Sequence, residues 1–236
     1  VEVREGARAC PNVSLSGPRA RMRRVEEVRK AASAIVGRDG DGGLEVLVLE
    51  RGSQSRFLAG YVAFPGGSTD REDAELAQRW FGSEEEADRA CAVRELLEEV
   101  GLALTSAGLA EANGRGLASV SSSPPSAEQL PEVAHWVAPP QVPVRFDARF
   151  FAVGATPGLR VVADGVETAA AWWTSPRELL EEWRTGRRKL YWPTYFTVLA
   201  IAPCTGLDDL LATRIQTREP DADELERLPR STFFQE

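Results

Sequence analysis

Several things are scarce in this chain, and each scarcity excludes something. There are three cysteines, Cys10, Cys91 and Cys204, with no CxxC spacing among them. That argues against a disulfide framework or a thiolate zinc cluster and predicts a reducing, cytoplasmic setting. Cys91 falls inside a helical pattern and reads as a small buried apolar residue. A single histidine, His135, rules out multi-histidine metal sites. Only Lys30 and Lys189 are lysines; every other basic residue is arginine. No run approaches the ~20 apolar residues that span a bilayer. The Arg-rich start is not followed by an apolar core and small-residue cleavage site, so neither a membrane span nor a signal peptide is expected. Basic residues are also in deficit: 28 against 36 acids, a net charge of −8. A general nucleic-acid binder would carry a basic domain. A small phosphate-bearing substrate remains compatible, because its charge can be met locally by arginine or a metal.

What is present is a mixed α/β pattern around one strong helix. Residues 1–24 lack periodicity and read as a tail, with the only methionine, Met22, inside it. Ala31 to Val36 and Leu44 to Leu49 are apolar runs separated by a glycine-rich turn, and predict a β-hairpin. Ser53 to Ala59 reads as a loop. Tyr61 to Phe64 reads as a strand stopped by Pro65-Gly66-Gly67, and 74–80 as a short helix. Ser83 to Glu86 forms a capping-box pattern. Val93, Leu96, Leu97 and Val100 then recur at helical spacing before Gly101, a C′ glycine, so a helix is expected over about 84–100. Residues 105–131 read as a long loop. Strands are expected within Trp136 to Val153 on either side of Pro139-Pro140, at Leu159 to Ala163 and at Ala170 to Thr174. Ser175-Pro176 starts a helix to about Arg184, Trp192 to Ala202 another, and 216–236 reads as a charged tail or extended arm.

The helix over 84–100 carries the chemistry. Residues three and four apart are neighbours on a helix, so Glu95, Glu98 and Glu99 share a face. At those spacings Glu95 and Glu99 find no basic residue on their own helix; Glu98 finds Arg94. An acidic face is ordinarily just solvated. Here, two carboxylates ~6 Å apart repel by roughly 3 kcal/mol at an effective dielectric of about 20, and the negative end of the helix dipole lies beside them. Such a cluster demands a cation, and oxygen ligands without His or Cys suit Mg²⁺ or Mn²⁺.

Arg94-Glu95-Leu96-Leu97-Glu98-Glu99-Val100-Gly101-Leu102 resembles the second half of the Nudix box, REUxEExGU. Glu86 stands seven residues before Arg94, as that box requires, and Phe64-Pro65-Gly66-Gly67 is similar to the segment that opens it. The spacing departs: Trp80 occupies the position of a box glycine, and 18 residues rather than five separate Gly67 from Glu86. The box is therefore read as interrupted by an insertion at roughly 68–80, a feature of some coenzyme A diphosphatases. Arg51 to Gly60 also resembles the segment those enzymes place before the box. Arg51 and Gly60 fit in register, while Gly52, Ser55 and Leu58 replace a Ser, a Leu and a His. Arg145 to Phe151 resembles the same group.

The resemblance implies an α/β/α sandwich with a mixed central sheet, in a single domain over 25–215 with the interrupted box at 66–102 and a C-terminal tail at 216–236. It implies a metal-dependent pyrophosphohydrolase cleaving a nucleoside diphosphate linked to another moiety. Glu95, Glu98, Glu99 and the Gly67 carbonyl would bind Mg²⁺ or Mn²⁺. Arg94 would orient Glu95, and one of the carboxylates would serve as base. Glu86 would cap its helix. Arg51, Arg56, Arg145 and Arg149 are candidates for phosphate, since guanidinium forks match phosphate oxygens. Tyr61 and Phe64 are candidates for stacking on a base, and Glu167 for a further metal ligand. The partner would be coenzyme A or acyl-coenzyme A, or else NADH, a nucleotide sugar or a dinucleoside polyphosphate; nucleic acid and membrane are not expected. A homodimer is compatible with the family and undecided by the sequence. A non-catalytic sensor on the same fold would be expected to lose box glutamates, and here they are all present.

Overall fold

The computed structural model describes residues 28–55, 57–114, 116–138, 145–218, 220 and 222–233. The expected tail at 1–24, Arg56 and the Pro139-Pro140 break lie outside the described residues. In chain order the elements are β1 (Arg29–Gly40), β2 (Gly43–Arg51), β3 (Tyr61–Ala63), β4 (Gly66–Ser68), α1 (Arg71–Trp80), α2 (Ala87–Val100), β5 (Leu102–Thr105), β6 (Gly108–Glu111), α3 (Leu117–Ser121), β7 (Glu132–Val137), β8 (Phe146–Gly154), β9 (Thr168–Thr174), α4 (Pro176–Arg184), β10 (Lys189–Leu190), α5 (Trp192–Ile201), α6 (Leu207–Ala212) and α7 (Ala222–Arg227).

The main sheet runs β10-β3-β2-β1-β8-β7, with β4 also paired to β1 and β9 to β2. It is mixed: β1 pairs with β8 and β3 with β10 in parallel, and the other pairs are antiparallel. Side chains alternate across a strand, and the core divides accordingly. Ala32, Ala34 and Val36 of β1, Leu47 and Leu49 of β2, and Phe151 and Val153 of β8 pack with α1 and α2. Ile35, Val46, Val48, Phe150 and Ala152 point the other way and pack with α4, α5 and α6. Two helical layers around one mixed sheet make the expected α/β/α sandwich.

α2 forms where the apolar spacing places it. It ends at Gly101, whose φ of 68° is left-handed and costs a glycine little. Its start differs from expectation. The Ser83 hydroxyl accepts from Glu85 N and caps a short 3-10 turn at Glu84–Glu86, while the Glu86 side chain caps nothing and pairs with Arg89 instead. α1 begins three residues before the expected 74–80 helix. Asp70 and Asp73 form a reciprocal capping box, an acidic version of the Ser-to-Glu pattern.

Other expectations are corrected. The segment 105–131 is not a plain loop: β5 and β6 form a hairpin and α3 follows. Gly66–Ser68 pairs with β1 rather than ending the strand region. Leu159 to Ala163 is not a strand; it crosses the end of α2, with Val162 N donating to Val100 O at 3.3 Å. The C-terminal segment is no free arm. Tyr61 Oη donates to Ser231 O at 2.9 Å, Trp183 Nε1 donates to Thr232 Oγ1 at 3.3 Å, and Phe233 is buried. Among the described residues no helix is long and apolar enough to cross a membrane.

Candidate active site

Four segments converge on a cavity of about 670 Å³. α2 contributes Glu95 and Glu99, the start of β4 contributes Gly66 and Gly67, the end of β2 contributes Arg51, and the turn before β9 contributes Glu167. Phe57, Trp136, Phe146, Tyr191 and Trp192 add an aromatic share to the lining.

Backbone geometry fixes the two carboxylates. Gly66 N donates to Glu99 Oε2 at 2.8 Å. A Cβ on Gly67 would stand 2.1 Å from Glu95 Oε1, and one on Gly66 would stand 2.4 Å from Ala32 O. At Gly66 the clash is with the backbone of the sheet, so glycine is required; at Gly67 it is with the end of the Glu95 side chain, which would have to move from its place. Glu95 lies almost wholly inside and Glu99 is 4% exposed. Burial raises the Glu99 carboxyl to about 8, with the charge of Glu95 adding to it and the Gly66 amide and Arg51 opposing. Burial also raises Glu95, against the pull of Arg94. Two desolvated carboxylates that resist losing their protons form a place where a cation is wanted.

The structure separates the three glutamates expected on one face. Successive helical residues turn by about 100°, so Glu98 and Glu99 flank Glu95 on opposite sides. Glu99 enters the cavity; the Glu98 side chain is 52% exposed and is held outward by Arg94 Nη1 at 2.8 Å. The partner count for Glu95 is also corrected. Arg94, its neighbour in sequence, bends across to donate from Nη1 to Glu95 Oε1 at 2.8 Å, a contact that three- and four-residue spacing does not include.

Among the arginine candidates, Arg51 lines the cavity and donates from Nε to Phe57 O at 3.1 Å. Arg149 does not face it. Ala148 and Phe150 on β8 do, so the residue between them points to the opposite face, where Arg149 pairs with Asp88 at 3.2 Å and Glu132 at 2.6 Å. Arg145 Nε is spent on Ala138 O at 3.1 Å. Tyr61 and Phe64 border the cavity but are buried, with Phe64 edge-on to Phe150. They are floor and core rather than free stacking faces.

Arg29 also lines the cavity and escaped the sequence reading, because only the parity of β1 reveals which way it faces. The placing of Glu167 has a visible cause. Asp164 accepts from Val166 N, Glu167 N and Thr168 N at 3.1, 3.2 and 2.8 Å. These bonds hold its own carboxyl below the usual range despite some burial and shape the turn. Gly52 N then donates to Glu167 O at 2.7 Å, tying this turn to the loop after β2. An Asp three residues before the Glu was the available signal.

The donors fit a hard divalent ion: carboxylates and a backbone carbonyl, with no imidazole and no thiolate. Burial pushes the Cys91 thiol far up, keeping it protonated. Among the described residues no three His, Cys, Asp or Glu side chains are gathered closely enough to hold a metal alone. Mg²⁺ is commonly held by one or two carboxylates together with water and substrate phosphate, which two glutamates beside an open cavity can supply.

A layered mixed sheet with a buried glutamate pair lining a cavity defines a class, and comparison with known proteins places the chain within it. The crystal structure of a NUDIX hydrolase from Alicyclobacillus acidocaldarius is similar at 30% identity with a TM-score of 0.69, over 82% of this chain and 99% of that one. A curated Caenorhabditis elegans protein described as "Putative nudix hydrolase 7" is 27% identical over 173 residues, which are 66% of this chain and 55% of that protein. The match thus spans about half the length of that relative. No protein-family model matches the chain. This chain belongs to the Nudix hydrolases.

Proposed function

We propose that the protein is a divalent-metal-dependent pyrophosphohydrolase that cleaves the diphosphate of a nucleoside diphosphate derivative, with coenzyme A or acyl-coenzyme A as its substrate. The observation that carries the reading is the pair Glu95 and Glu99, buried at the head of a cavity against the Gly66-Gly67 backbone. Glu95, Glu99 and the Gly67 carbonyl would hold the ion, with Glu167 as a further carboxylate; Glu98 lies outside the cavity. When bound, Mg²⁺ or Mn²⁺ neutralises the diphosphate and lowers the pKa of a bound water. Arg51 meets phosphate oxygens with a planar fork. Arg94 keeps Glu95 turned toward the cavity. The proton of the attacking water is taken by a carboxylate lining the cavity, which narrows the choice to Glu95, Glu99 and Glu167.

Two features support coenzyme A as the substrate: the resemblance over Arg51 to Gly60, and the aromatic side chains lining the cavity, on which a long pantetheine or acyl arm can pack. The test is product analysis with Mg²⁺ or Mn²⁺ over coenzyme A, acyl-coenzyme A, NADH, a nucleotide sugar and a dinucleoside polyphosphate. The expected products are a 4′-phosphopantetheine and adenosine 3′,5′-bisphosphate, with turnover abolished by chelator. Turnover confined to another member of the panel keeps the chemistry and overturns the substrate. No cleavage of any member overturns both.

A further inference from the structure

The insertion that interrupts the box brings one side chain to the box helix which none of the steps above uses. Asp73, in the first turn of α1, has no solvent exposure. Its two oxygens engage the same guanidinium: Arg94 Nε donates to Oδ1 at 2.8 Å and Arg94 Nη2 to Oδ2 at 3.0 Å. Oδ2 also accepts from Asp70 N at 3.0 Å, so the carboxylate is held from its own helix cap as well. A guanidinium is planar and rigid. Fixing its Nε–Nη2 edge fixes the direction of Nη1, which donates to Glu95 Oε1 and Glu98 Oε2, both at 2.8 Å. Glu86, which stands at the motif's own offset from Arg94, is turned to Arg89.

We propose that Asp73 is a positioning residue: the insertion supplies the carboxylate that aims Arg94, and through Arg94 it sets Glu95 against Gly67 at the head of the cavity. The proposal rests on the reading of that cavity as a diphosphate-hydrolysing site. The chemistry of the pair explains why a neutral residue cannot substitute. Asparagine at 73 offers one acceptor and one N–H₂ donor. The donor faces a guanidinium N–H, so the two-point fork becomes at best one hydrogen bond. The Arg94 side chain is only 12% exposed; without the Asp73 carboxylate its Nε–Nη2 edge loses its anchor, and Nη1 is left bridging Glu95 and the outward, half-exposed Glu98. The guanidinium is expected to turn toward water, taking its bond from Glu95 with it.

The test compares Asp73→Asn with Leu76→Ala, a cavity-forming change in the same helix at a buried side chain that makes no polar contact. Four readouts are taken on the full chain: the protected Arg94 Nε–H signal by NMR, assigned by its loss in Arg94→Lys; Mn²⁺ affinity by electron paramagnetic resonance; kcat and KM; and the melting temperature. Asp73→Asn is expected to lose the Nε–H signal. Removing a group that orients a metal ligand typically costs about 10–100-fold in metal affinity or activity, and that loss should fall on Mn²⁺ affinity and kcat, with KM changing little. Leu76→Ala is expected to lower the melting temperature while keeping the signal, Mn²⁺ affinity and kcat. The proposal is overturned if Asp73→Asn keeps the signal, if its kcat and Mn²⁺ affinity stay near wild type, or if its losses merely track melting temperature as in Leu76→Ala. A wild-type protein that cleaves no diphosphate fails the reading of the site instead. The Nε–H signal separates the two, since its loss in Asp73→Asn still supports the clamp and its persistence overturns it.

Discussion

The two faces of the central sheet treat buried polar atoms differently. On the α1–α2 side, the buried polar side chains are carboxylates: Asp73, Asp88, Glu95 and Glu99. The other buried polar side chains among the described residues are threonines: Thr168 and Thr174 of β9, and Thr194, Thr197 and Thr232 on the α5 side with Trp136, Trp192 and Tyr195. A hydroxyl needs one or two partners, and Thr197 finds one in Trp136 Nε1 at 2.9 Å. A buried carboxylate costs several kcal/mol to desolvate unless strongly paired. Asp73 is paired with Arg94, and Asp88 with Thr69 and Arg149. Glu99 has one backbone N–H and lies beside another carboxylate. On the aromatic face the unpartnered buried atom among the described residues is neutral, Trp192 Nε1. The acidic face carries an uncompensated cost, which is what a site for a cation entails.

The largest expected effect breaks that contrast at Glu99. Glu99→Gln should lower kcat by about 10³–10⁴, equivalent to ~5 kcal/mol of transition-state stabilisation, without lowering the melting temperature. Leu179→Ala, a fully buried side chain on the aromatic face, should do the reverse. It should cost about 2–5 kcal/mol of stability and leave kcat unchanged. Steady-state kinetics and chemical denaturation on the same samples check both. Large activity in Glu99→Gln tells against the mechanism.

The adjacent glycines sharpen the contrast within two residues. In Gly67→Ala the new methyl meets the movable Glu95 carboxylate, so kcat should fall while the melting temperature changes little. In Gly66→Ala it meets the Ala32 carbonyl of the sheet, so stability should fall first. The same response from both variants in kinetics and thermal melts would remove the distinction.

A pH effect should follow in chelator. Folded Glu99 keeps its proton up to about 8, whereas an unfolded glutamate releases it near ~4.3. Between those values the folded state binds more protons, so stability falls as pH rises through the window. Denaturation midpoints should therefore drop from pH 5 to 8 in the wild type, more steeply than in Glu99→Gln. Equal slopes would place the proton elsewhere. The smallest effect on activity belongs to Arg149→Ala. It faces away from the cavity, so KM should not change; its loss leaves Asp88, whose side chain is 11% exposed, with Thr69 alone, so stability should fall by about 1–3 kcal/mol, whereas Arg51→Ala should raise KM.

Much of the site was legible because it is local. Val93, Leu96, Leu97 and Val100 announce a helix, Gly101 ends it, and Arg94, Glu95 and Glu99 sit at fixed offsets along it. Phe64-Pro65-Gly66-Gly67 is equally local. Contacts across elements were not legible. The direction of Arg149 depends on the parity of β8, and parity is set by which strands pair. Glu167 reaches the cavity because Asp164 shapes a turn that Gly52 then fastens. The C-terminal segment reads as polar because its few buried groups, Thr232 and Phe233, find partners far away in sequence.

The sequence by itself determined the helix, the cluster of carboxylates on it and the family it resembles, since helical periodicity and motif spacing act within a few residues. Only the tertiary structure decided which glutamates enter the cavity, which arginines face it, and that the insertion carries a carboxylate gripping Arg94. Those outcomes depend on how separate elements are rotated and packed against one another, and that is fixed by burying both faces of the sheet at once.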